Sequence, residues 1–151
     1  MSPKEKIALA CDHRGVEMKN QIMDYLQSRN CDLVDCGTNS AHSVDYPDFM
    51  FEAAEKVSSG ECGRAIGICY TGIGSSIAAN KVRGVRAALV HTVEEAKLTR
   101  AHNDSNMLIL GAGFLDKAKV IPIVDAWLTT PFEGGRHEER VNKIKNYEQK
   151  H

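Results

Sequence analysis

Short apolar runs alternate with stretches of helical periodicity along the whole chain. KIALAC (6–11), CDLVDC (31–36), RAIGICY (64–70), VRAALV (85–90) and NMLILG (106–111) have the length and apolar content of buried strands. VEMKNQIMDYLQS (16–28) sets Met18, Ile22, Tyr25 and Leu26 on one face of an amphipathic helix. A long loop through Pro47 leads into a helix ending near Ser58. SSIAANKV (75–82) predicts a short helix, and another lies between the fourth and fifth strands. KAKVIPIVDAWL (117–128) predicts a helix that Pro122 threatens to interrupt. After PFEGG, a charged helix runs from around Arg136 to the C-terminus.

Five such strands alternating with helices predict an all-parallel sheet covered on both faces. Right-handed crossovers leave few topologies, and a flavodoxin-like α/β three-layer sandwich of strand order 2-1-3-4-5 is the natural one. With no repeat, linker or low-complexity segment, residues 1–151 read as one domain. Ligands of such sheets sit at the carboxyl ends of the strands, near the switch point between strands one and three. The segments there are CDHRG (11–15) and CYTGIG (69–74).

Composition narrows the function classes. The chain is 42% hydrophobic and 26% charged with a formal net charge of −1, which gives no electrostatic reason for a nucleic-acid or anionic-membrane partner. No apolar stretch approaches the roughly 20 residues that span a bilayer. The first apolar run breaks at Asp12 without a signal-peptide cleavage pattern, so a cytoplasmic protein is expected. Five cysteines without a CxxC pair predict free thiols, mostly packed as small hydrophobes. The six histidines show no helix-face pairing and no Cys/His cluster, so no metal site is expected.

Thr71-Gly72-Ile73-Gly74-Ser75 links strand three to a helix start, where unpaired N–H groups suit an anion. The third glycine of a dinucleotide fingerprint would fall at Ile77, and the Lys-Ser/Thr ending of a P-loop is missing. A cysteine phosphatase loop would need arginine where Ser75 stands. Cys69, five or six residues before the expected helix, is a nucleophile or general base if the loop folds back, and a plain core residue if it does not. Position alone leaves both open. Asp12 and His13 bring ionisable groups to the same edge, though Asp12 would also serve as a helix cap.

In EGGRHEERVNKI, Arg136 opposes the dipole of the helix it opens and repels Arg140 at i+4. Arg136 has Glu139 within reach, but Arg140 has no carboxylate at i±3 or i±4. A bound phosphate resolves both conflicts. His102-Asn103-Asp104, just before strand five, reads locally as a loop with side-chain turns.

Taken together, CDHRG (11–15), DYP (45–47), CxTGxG (69–74), IAANK (77–81), HND (102–104) and GGRHxxR (134–140) resemble ribose-5-phosphate isomerase type B over essentially the whole chain. The resemblance implies a flavodoxin-like subunit and cofactor-free, metal-free interconversion of ribose 5-phosphate and ribulose 5-phosphate. Cys69 would be the base between C1 and C2, with Thr71 also in the catalytic set. Backbone N–H groups of Tyr70, Thr71, Gly72, Ile73 and Gly74 would stabilise the enediolate. His102 would open the sugar ring with help from Asn103, Asp12, His13 and Tyr46 would hold the sugar, and Arg136, Arg140 and His13 would take the phosphate.

Relatives without the cysteine use a glutamate where this chain has Ser75, so the cysteine branch is the one resembled. Two positions depart from the pattern: Gly113 stands where relatives often carry arginine, and Tyr70 where a small residue is usual. The alternatives are a hexose-6-phosphate isomerase acting on allose or galactose phosphate, and a non-catalytic phosphosugar-binding module. The loop entering strand five lies at the amino edge and Cys69 at the carboxyl edge, on the order of 20 Å away for six-residue strands. The role implied for His102 therefore requires a second chain, and a homodimer, or a tetramer, with shared active sites is expected.

Overall fold

A computed structural model describes residues 4–151; residues 1–3 of the expected domain lie outside the described residues. The chain runs β1 (Lys6–Cys11), α1 (Val16–Ser28), β2 (Asp32–Asp35), α2 (Tyr46–Ser58), β3 (Arg64–Cys69), α3 (Ile73–Ala79), β4 (Ala87–Leu89), α4 (Val93–Asn103), β5 (Met107–Gly111), α5 (Lys117–Thr129) and α6 (Arg136–Lys150). All four strand pairings are parallel, and helices cover both faces. The apolar runs of β1, β3 and β5 are buried nearly end to end, as a sheet covered on both sides requires.

The strand order is β2-β1-β3-β5-β4, which corrects the expected 2-1-3-4-5 at its last two positions. β5 (MLILG) is wholly buried and takes the inner place, whereas the three residues of β4 are half-buried and form the edge. With right-handed crossovers, connections stepping in opposite directions place their helices on opposite faces. α2 and α3 step one way and bury Met50, Ala53, Ala54, Ala78 and Ala79 on one face, beside Ala8, Ala65 and Ile109. α1 and α4 step the other way and, with α5, bury Met18, Ile22, Leu26, Ala96 and Trp127 against Leu9, Ile68 and Leu110. The expected order would have put α3 and α4 on the same face.

This order brings the segment after β5, rather than the one after β4, beside Cys69, since Cys69 pairs with Gly111. Local chemistry explains two helix boundaries. Pro47 lies in the first turn of α2, where its missing N–H costs nothing. Gly15 precedes α1 because a Cβ there would stand 2.8 Å from Cγ2 of Ile68 and 2.9 Å from Cβ of Cys11. Pro122 does not interrupt α5, which runs continuously through it.

Candidate active site

At the carboxyl edge, β3 delivers Cys69 directly into a turn that opens α3. The helix begins at Ile73 with Gly72 as its N-cap, two residues earlier than the sequence pattern predicts. Cys69 is therefore close to the helix start without any fold-back, and the Gly72 N–H donates to its Sγ at 3.2 Å. Gly72 has φ 78°, a left-handed conformation that glycine adopts freely. Thr71 Oγ1 accepts from the Ile73 N–H at 3.1 Å, which fixes the loop's next donor. Gly74, inside the helix, is required for a different reason. A Cβ there would lie 2.5 Å from the Tyr46 hydroxyl oxygen and 2.8 Å from Cε2 of the same ring, so Tyr46 sits directly over the first turn of α3.

β1 ends beside β3, and the Asp12 N–H bonds the Ile68 carbonyl at 3.2 Å. Asp12 is buried, and its Oδ1 accepts from the Arg14 N–H at 2.9 Å. It closes the turn before α1 rather than capping the helix, whose N-cap is Gly15. His13 Nδ1 accepts from the Val44 N–H at 3.2 Å, so a neutral ring carries its proton on Nε2. One edge thus gathers Cys69, the 70–74 loop, Asp12, His13 and Tyr46.

The two departures prove to be one feature. Tyr70 leans over Gly113, which has no room for a side chain, and its edge meets the Phe114 ring at 6.0 Å between centroids. The Arg14 guanidinium lies 4.2 Å from the Tyr70 ring centroid. Arg14 was not singled out in the sequence; its cation reaches this edge by stacking across 56 positions of chain, which no local pattern reveals.

The second group of predicted residues lies at the opposite edge. His102 and Asn103 are not in a loop: they form the last turn of α4, and Asp104 closes it with φ 47°. α4 runs back along the sheet, so this end stands at the strands' amino edge. From Ala65, paired with Met107, to Cys69, paired with Gly111, the four residue steps span about 13 Å, and His102 precedes Met107. His102 is therefore not brought to Cys69 within one chain. The His102 ring instead stacks on His137, with centroids 4.1 Å apart and planes at 12°. Burial, followed by the nearby His102 and Arg136, pushes the His137 pKa down, partly opposed by Glu133.

His137 Nε2 lies 3.5 Å from Glu133 Oε2. His102, Glu133 and His137 therefore form a group of potential ligand atoms that neither helix-face pairing nor a Cys/His cluster announces in the sequence. Glu133 and His137 stand at i,i+4, but His102 is remote from both in sequence, so spacing gave no signal for the three together. Among the described residues, no ion pair includes Arg136 or Arg140, both in the first turns of α6. All five cysteines are unpaired. No helix among the described residues is long and apolar enough to cross a membrane.

Known proteins match this geometry closely. The ribose/galactose isomerase family model matches residues 7–144. The structure of Clostridium thermocellum ribose-5-phosphate isomerase B superposes with a TM-score of 0.94 at 48% identity, covering 96% of this chain and 98% of that one. Ribose-5-phosphate isomerase B of Mycoplasma genitalium, solved with bound ribulose-5-phosphate, has a TM-score of 0.95 at 41% identity over 99% of this chain and 100% of that one. The Escherichia coli ribose-5-phosphate isomerase B is 42% identical across 97% of this chain and 98% of its own length. The match of the family model over nearly the whole chain, with relatives more than 40% identical along almost their full length, shows that the chain belongs to the ribose/galactose isomerase family.

Proposed function

We propose that the protein interconverts ribose 5-phosphate and ribulose 5-phosphate through an enediolate, with residues 1–151 acting as one domain and without a metal ion or redox cofactor. The observation that supports this reading is the Gly72 N–H directed at the Cys69 sulfur, a donor that would favour the thiolate as base. Aldose–ketose isomerisation needs such a pairing, because the proton leaves carbon while negative charge builds on the neighbouring oxygen.

In this reading the Cys69 thiolate takes the C2 proton of the open-chain aldose, and the electron pair shifts through C1 onto O1. The other N–H groups of the 70–74 loop hold that oxygen, while the Gly72 and Ile73 N–H groups are taken by Cys69 and Thr71 and keep the loop in shape. Cys69 then returns a proton to C1 while the O2 proton passes to O1, giving the ketose. Asp12, His13 and Tyr46 hold the sugar hydroxyls, with His13 Nε2 free to reach the phosphate. His102, assisted by Asn103, opens the furanose by moving a proton from the anomeric hydroxyl to the ring oxygen. Arg136 and Arg140, without an ion pair among the described residues, grip the phosphate.

The two edges cannot meet in one subunit, so the working unit is a homodimer in which His102, Asn103, Arg136 and Arg140 serve the partner's Cys69 edge. Ile73 and Ile77, exposed at 58% and 59% on α3, supply apolar surface next to the site for that contact. Five unpaired thiols fit a reducing, cytoplasmic setting. The test is a coupled assay on ribose 5-phosphate beside allose and galactose 6-phosphates. The reading expects the pentose to have the highest kcat/KM; no turnover of ribose 5-phosphate contradicts it.

A further inference from the structure

We propose that His102, Glu133 and His137 form a binding site for a divalent transition metal of the zinc class, and that its occupancy switches catalysis off. The donor atoms of the three side chains lie within 4.8 Å of one another, and His137 Nε2 and Glu133 Oε2 are 3.5 Å apart. Zinc–nitrogen and zinc–oxygen bonds of about 2.0–2.2 Å place tetrahedral ligands roughly 3.3–3.5 Å apart, so that pair already has the required spacing. His137 is buried at the start of α6, and the Glu133 N–H bonds the Ala101 carbonyl at 3.0 Å, which ties its backbone to α4.

His102 is the moving part. Stacked rings direct their in-plane lone pairs along parallel lines, so capture requires His102 to swing out of the stack toward the metal. It is only half-buried and sits in the last turn of α4. Arg136 and Arg140 oppose a dication here, and the Glu133 carboxylate offsets one of their two charges. Three protein ligands leave the fourth position to water, as in zinc sites that are not purely structural. The metal would occupy the His102 nitrogen that moves the ring-opening proton; this half of the proposal rests on the role assigned to His102 above.

The test titrates zinc into the full-length protein by calorimetry and cobalt(II) by visible absorption, alongside Glu133→Ala and His137→Gln. The proposal expects one ion per chain at roughly micromolar metal and at least about ten-fold weaker binding in each variant. It also expects zinc to inhibit the parent enzyme, and Glu133→Ala to keep basal turnover while resisting inhibition. Binding unchanged in both variants, as for metal held by Cys69 or Cys31, overturns the site. Variant-sensitive binding with no inhibition overturns the switch. Because the metal titration needs no substrate, it stands even if the chain fails to isomerise ribose 5-phosphate.

Discussion

Tyr70 occupies the space in which a side chain at position 113 would begin. A Cβ built on Gly113 would stand 2.5 Å from Cζ and 2.7 Å from Cδ2 of that ring, closer than any packed carbon. The ring in turn carries the Arg14 guanidinium at 4.2 Å, so a cation reaches this edge from the turn before α1 although position 113 has none.

The two positions should therefore be coupled. Gly113→Arg alone forces the half-exposed Tyr70 ring aside and off Arg14, costing about 0.5–1 kcal/mol of stability and part of the activity. Tyr70→Gly frees the space but strands Arg14, a loss of about 0.5–1 kcal/mol for an exposed cation–π contact. The pair Tyr70→Gly with Gly113→Arg should regain stability and turnover relative to Gly113→Arg. Denaturant midpoints and kcat/KM of the four proteins measure the coupling; strict additivity would refute the shared space.

Cys69→Ala should lower turnover by orders of magnitude and leave the denaturation midpoint close to that of the parent. Alkylation gives an independent reading. Burial pushes the Cys11 and Cys36 thiols up to about 11, and Cys62 also upward, so these should resist modification. Cys31, half-buried and raised by the same cause, is the competitor for reagent. Substrate should protect Cys69 and not Cys31 in a peptide map, and equal protection of both would argue against a thiol in the site.

Arg140→Ala should weaken inhibition by inorganic phosphate and raise KM for the sugar phosphate about ten-fold. One hydrogen bond to a charged group is worth about 1.5–3 kcal/mol, and about 1.4 kcal/mol is a factor of ten. An unchanged phosphate inhibition constant removes Arg140 from the anchor.

A buried lysine supports the loop beside β1. Lys19 Nζ donates to Asp35 Oδ1 at 2.7 Å, to the Thr38 carbonyl at 3.0 Å and to Asn39 Oδ1 at 2.7 Å. Lys19→Ala takes one donor from each of these acceptors, of which Asp35 keeps the Gly37 N–H and faces solvent with Asn39, and should cost about 1–3 kcal/mol. Burial raises the Asp35 pKa, but the Lys19 hydrogen bond and the Gly37 N–H outweigh it and the carboxyl is lowered overall. A lowered folded-state value means that this stability is present above the unfolded carboxyl's pKa and lost as pH falls through the folded one. Denaturation midpoints across acidic pH should fall less steeply in Asp35→Asn than in the parent; parallel curves would contradict the linkage.

The part of the site legible in the sequence is the part that is local. Cys69, the 70–74 loop and Asp12-His13 follow directly on apolar runs, so their edge could be read from strand direction alone. The start of α3 was misplaced because Gly74 looks like a turn residue, whereas it is glycine to admit the Tyr46 ring into a helical turn. The exchange of β4 and β5 was hidden because both runs are apolar and of similar length in sequence; only the pairing of Ala65 with Met107 and the half-exposure of β4 distinguish them. His102 on His137, and Arg14 on Tyr70, are contacts between residues remote in sequence that the fold alone brings together.

The sharing of active sites between subunits is the central claim, and subunit mixing tests it most directly. Cys69→Ala and His102→Ala, each inactive alone, are dissociated, mixed and reassembled, with tagged chains confirming the mixed dimer. If each site takes Cys69 from one chain and His102 from the other, one site of the mixed dimer inherits both defects and the other inherits none. Activity per mixed dimer should then return to about half that of the parent dimer. Mixed dimers that form and stay as inactive as the two variants would contradict the account, placing His102 outside the site or within its own subunit.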